Sequence, residues 1–178
     1  MAEPSGAAWC SRFPGSRSPD DLTEPFRTRA KAFLAALAAA TPPARVSVAA
    51  TLRPPERAYL MHWAWSIAHN LVQPQNVPTK DGVDIDWDHP GAVAAAQAMV
   101  AGYGMLFIAA LQSRHTEGEA IDMDITWDGT LEVRDQNGNP HQIGAPRNNS
   151  NAVLQRVAHS FGVIKLASDE PHWSIDGH

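Results

Sequence analysis

A chain of 178 residues is about the size of one domain and is long enough to enclose a hydrophobic core. Its 44% hydrophobic and 19% charged residues are ordinary for a globular protein, which excludes a mostly disordered or coiled-coil chain. Fourteen basic against nineteen acidic side chains give a net charge of −5, so nucleic acid is not an expected partner; the single Cys10 excludes an internal disulfide and a multi-cysteine zinc site.

The predicted elements begin after residues 1–23, an irregular arm rich in Ser, Pro, Gly and Arg that brings Trp9 and Phe13 toward the body. Neither an apolar leader core nor a membrane span is found, so the expectation is a product made in the cytoplasm without a signal peptide. Phe26, Ala30, Phe33, Leu34 and Leu37 recur at helical spacing and predict a helix up to Ala40, stopped by Thr41-Pro42-Pro43. Arg45 to Leu52 alternates like a strand, and Pro54-Pro55 opens a helix that runs to about Asn70, which leaves Arg53 at a strand-to-helix junction. Residues 71–89 read as a long loop or flap. An alanine-rich helix follows over about Pro90 to Ala101, then an apolar segment from Met105 to Leu111.

Ile121 to Trp127 reads as a strand, Asp128-Gly129 as a turn and Thr130 to Arg134 as a second strand, which together predict a hairpin. A polar loop over 135–150 leads to a helix from about Asn151 to Phe161 and a short strand from Val163 to Leu166. The fold class expected is α+β: a small, mainly antiparallel sheet with the site on one face and the four helices on the other, forming one domain over residues 24–178.

Alternation in the strand places Ile121, Met123, Ile125 and Trp127 on one face and Asp122, Asp124 and Thr126 on the other. His115 precedes this acidic face by one glycine-containing turn, and His172 lies on another strand near the end of the sequence. Two histidines and one carboxylate suit a catalytic zinc ion with an open fourth position. His62 and His69 stand two helical turns apart, about 10 Å, too far to share an ion. Asp84, Asp86 and Asp88 lack the glycine and distal glutamate of a calcium loop.

The pattern Ser113-x-His115-x-x-Gly118-x-Ala120-x-Asp122, followed by Asp169-x-x-His172-Trp173, resembles the signature of the zinc D-alanyl-D-alanine metallopeptidases. These include the VanX- and VanY-like dipeptidases and carboxypeptidases and the phage L-alanyl-D-glutamate endopeptidases. Lysostaphin and the Hedgehog signalling domain are more distant members of the same superfamily (LAS). The resemblance spans residues from about Arg45 onward. It implies one zinc ion per chain, held by His115, Asp122 and His172, with Asp169 as the general base and Arg53 holding the developing oxyanion.

Several alternatives stay open. Periodicity does not choose between Asp169 and Glu170, nor does it exclude Arg57 in place of Arg53. Ser113 either bonds substrate or caps its turn, and Trp173 either lines the cleft or packs.

The function implied is hydrolysis, by metal-activated water, of peptide bonds in the stem peptides of bacterial peptidoglycan, as an endopeptidase or a D,D-carboxypeptidase. A monomer is expected. Reaching the wall would need release as a phage endolysin or passage through a secretion apparatus, the latter with an immunity protein as a partner. The alternative from another class is a non-catalytic zinc-containing domain of the same fold that binds the cell wall or a protein.

Overall fold

The structure is a computed structural model and describes residues 2–178. In chain order the elements are β1 (Glu3–Pro4), α1 (Phe26–Ala38), β2 (Arg45–Ala50), α2 (Pro55–Ala68), β3 (Ile85–Asp86), α3 (Ala92–Tyr103), α4 (Arg114–Glu117), β4 (Ala120–Thr126), β5 (Leu131–Arg134), β6 (Pro140–Ile143), α5 (Ala152–Ser160), β7 (Ile164–Lys165) and β8 (His172–Ser174). Short 3-10 turns occupy Ala7–Ser11, Pro19–Asp21 and Pro74–Asn76. The class is α+β, as expected. No helix among the described residues is long and apolar enough to cross a membrane.

The chain forms two compact units, each assembled from two separated stretches: residues up to Gly15 with Arg53–Thr116, and Ser16–Leu52 with Glu117–His178. The second holds the principal sheet, in the order β2-β4-β8-β7 with every neighbouring pair antiparallel. On β4 the alternation is realised: Ile121, Met123 and Ile125 are fully buried, while Asp122 is half-buried and Asp124 and Thr126 are exposed. The buried side joins Phe26, Phe33 and Leu37 of α1 and Leu154, Val157 and Ala158 of α5 in one core. Each of the larger of these side chains contributes about 1.5–3 kcal/mol relative to remaining exposed. The Asn151 carboxamide caps α5 by accepting from the Val153 and Leu154 amides.

The first unit has its own core, in which α2 and α3 enclose Trp9, Tyr59, Leu60, Ile67, Trp87 and Met99. Of the four helices expected to cover the sheet, only α1 and α5 share its core. Trp9, from the N-terminal arm, is 2% exposed and donates through Nε1 to the Pro4 carbonyl, and Phe13 packs against the same cluster. The 71–89 segment is also more ordered than a flap: β3 pairs in parallel with β1, and the Asp86 carboxylate accepts the Asp88 amide.

The expected β4–β5 hairpin does not form. Both edges of β4 are taken, by β2 and β8, so β5 pairs instead with β6 across the Asp135–Asn139 turn. Gly138 occupies the left-handed region at φ 84°, and Asp135 accepts the amides of Asn137 and Asn139.

Candidate metal centre

Gly118 sets the approach to the site. It follows α4 at φ 72°, and a Cβ there would meet Thr23 Cγ2 at 2.9 Å and the Thr23 backbone nitrogen at 3.1 Å. The Thr23 amide donates to the Gly118 carbonyl, and its hydroxyl to that of Glu117, so the turn between His115 and β4 lies against the start of α1. β4 then presents Asp122, whose register partner on β8 is His172.

The three expected ligands come together. His115, Asp122 and His172 each offer a donor atom, all within 4.8 Å of one another, with both histidines buried and Asp122 half-buried. This cluster could hold a metal ion.

His172 shows how well the donors suit a cation. Its Nε2 lies 3.0 Å from the His178 carbonyl oxygen, an acceptor only, so Nε2 carries the hydrogen. In a neutral ring Nδ1 is then a lone pair, and it faces the Asp122 Oδ1 at 3.1 Å. Two acceptors at that distance need a hydrogen or a metal ion between them. Two donors bound to one zinc ion at 2.0–2.1 Å with tetrahedral angles would stand roughly 3.3 Å apart. Burial disfavours the charged imidazole, but the bonds to Asp122 and the His178 carbonyl, with the charges of Asp122 and Asp169, outweigh it and raise the His172 pKa.

The other expected site residues divide. The Arg53 amide donates to the His115 carbonyl at 2.9 Å, which ties that junction to the first ligand. The rival Arg57 is engaged elsewhere: its guanidinium donates to the Cys10 carbonyl and lies 4.7 Å from the centre of the Tyr103 ring. Asp169 is exposed in the turn before β8, and its carbonyl accepts the His172 amide. Its charge is felt at both His172 and Lys165, and that of Glu170 at Lys165.

Ser113 engages in the capping of α4. Its carbonyl accepts the Thr116 amide and hydroxyl, and its own amide donates to Thr116 Oγ1. Trp173 takes the packing role of the two left open for it. Adjacent strand residues point to opposite faces, so with His172 toward the cluster Trp173 enters the core, fully buried and 6.1 Å from the Phe33 ring. His62 and His69 are engaged apart from the cluster: the first donates to the Ala109 carbonyl, beyond α2, and the second bonds the Trp65 carbonyl and stacks on the Trp65 ring.

One residue near the site had no signal in the sequence. Asn149, 2% exposed, accepts the Ile125 amide and donates to the carbonyls of Met123 and Glu170. A single Asn in a polar loop carries no periodicity, and only long-range pairing reveals its place. Comparison with protein-family models, curated proteins and solved structures returned no match for this chain.

Proposed function

We propose that this chain is a zinc-dependent peptidase that hydrolyses peptide bonds in the stem peptides of bacterial peptidoglycan, as an endopeptidase or a D,D-carboxypeptidase. The observation that carries this reading is the convergence of His115, Asp122 and His172, at motif positions shared with the zinc D-alanyl-D-alanine metallopeptidases. A LAS-type or Hedgehog-like fold belongs to the same proposal and is consistent with the antiparallel sheet that carries two of the three ligands.

His115, Asp122 and His172 would hold the ion, with Nδ1 as the donor atom of His172. Bound there, zinc supplies Lewis-acid polarisation of the peptide carbonyl and acidifies a water molecule. Asp169 removes a proton from the attacking water and returns it to the leaving amine. Arg53 offers its positive charge to the oxygen that becomes anionic. The Ser113 hydroxyl bonds the peptide near the ligand it precedes. The His178 carbonyl fixes the His172 tautomer, as outer partners of metal-binding histidines do.

Metal analysis joined to mass spectrometry of digested peptidoglycan tests the proposal. The purified chain should hold close to one zinc, and the fragment masses name the bond cut. Asp169→Ala should abolish cleavage and keep the zinc. Full activity in that variant would overturn the base assignment, and zinc without turnover in the wild type would favour the non-catalytic binding domain.

A further inference from the structure

Asp169 sits on a turn with no regular structure of its own, between β7 and β8, yet a base must be held to a fraction of an ångström. The turn is gripped from two sides. The Lys165 ammonium donates to the carbonyls of Leu166 and Asp169 at 2.5 Å each, which closes the turn on its β7 side. The buried Asn149 carboxamide donates to the Glu170 carbonyl at 3.1 Å while it is bound to Met123 and Ile125 of β4. The Pro171 carbonyl accepts the Met123 amide at 2.8 Å, a third tie to the same strand.

We propose that Lys165 and Asn149 form a clamp that positions Asp169 for proton transfer, an inference that rests on the peptidase reading. Three observations favour a clamp over an incidental surface lysine. Lys165 is half-buried and spends two of its three donors on backbone carbonyls of a single turn. Its ammonium also lies within electrostatic reach of Asp169, Glu170 and Asp122, so one cation serves the whole acidic edge of the site. Finally, Lys165, Ser168 and Glu170 wall a cavity of about 290 Å³, so a shift of the turn would reshape that space as well. Neither residue touches the reacting atoms in this scheme; both act through the turn.

The test joins kinetics to a measurement independent of turnover. In zinc-loaded Lys165→Met, kcat for muropeptide cleavage should fall roughly tenfold or more, with KM and zinc content close to wild type. Backbone amide exchange at Asp169 and His172 should quicken by roughly tenfold or more. Lys165→Arg keeps a cation with several donors and should recover most of both losses. Asn149→Asp keeps the acceptor for Ile125 but removes the donors to Met123 and Glu170, and it should quicken exchange at the same two amides. Unchanged kcat and exchange in folded Lys165→Met would overturn the clamp. A raised KM with intact kcat would also overturn it, because Lys165 would then contact the substrate. A wild-type chain that cleaves no muropeptide would count against the peptidase reading, while amide exchange would still decide the clamp.

Discussion

Two histidine–carboxylate pairs lie in the second unit, each with 3.1 Å between ring nitrogen and carboxylate oxygen: His172 with Asp122, and His141 with Asp135. Distance alone does not distinguish them. Asp135 belongs to the β5–β6 turn and accepts two backbone amides, the Asn139 side chain and His141, so hydrogen-bond donors of the turn already surround it. The bond from His141, then that from Asn139, holds its carboxyl down at about 2. At Asp122 the facing histidine has its other nitrogen committed to a carbonyl, and a second buried histidine stands within reach. The first arrangement closes a turn; the second could hold a metal ion. What the remaining atoms are doing separates a turn-closing pair from a candidate metal site.

The strongest way to break this contrast is to remove ligands from each side. His115→Ala or His172→Ala should weaken zinc binding by more than the roughly 10–100-fold typical of lost outer partners. His141→Ala should keep the wild-type stoichiometry by metal analysis. Loss of zinc in His141→Ala would erase the distinction.

Next in size is the split between His172 and its neighbour. Trp173→Ala should cost about 3–5 kcal/mol in denaturant unfolding, as large aromatic truncations in cores do. Trp173→Phe should cost less, since the Trp173 Nε1 has no hydrogen-bond partner among the described residues. Both should bind zinc normally while folded, and a loss of affinity in folded Trp173→Phe would mean that the two faces of β8 are not independent.

The smallest effect concerns the turn pair. The folded pKa of Asp135 lies below its ordinary value of 3.8, so the native state binds fewer protons there than the unfolded chain. The stabilisation is therefore present above 3.8 and is lost as pH falls toward about 2. The gap in melting temperature between the wild type and Asp135→Ala should be steady well above 3.8 and shrink as pH falls through 3.8 toward about 2; a gap that widened in acid would reverse the assignment.

The sequence was most legible where one local rule decided the outcome. The 3.6 period found α1, and Pro55 marked the first residue of α2. Alternation on β4 placed Asp122 opposite the core, and the same rule applied to His172-Trp173 would have turned the tryptophan inward. Pairing was not legible, because the neighbours of β4 come from residues 45–50 and 172–174, far along the chain. The Asp128-Gly129 turn signal was real, with Gly129 at φ 66°, but turn geometry says nothing about whether an edge is free. The hairpin that does form turns at Asn137-Gly138, inside the stretch 135–150 expected to be a polar loop.

The Asn149 carboxamide has one more consequence. Where the β4–β8 register ends at Asp122, its oxygen and nitrogen take the Ile125 amide and the Met123 carbonyl, the two backbone groups that a neighbouring strand would have engaged. One side chain thus stands in for a residue of missing strand. Edges left open recruit strands from other molecules. Here the vacant stretch of β4 is sealed from within, which keeps the strand bearing Asp122 from serving as a template for aggregation.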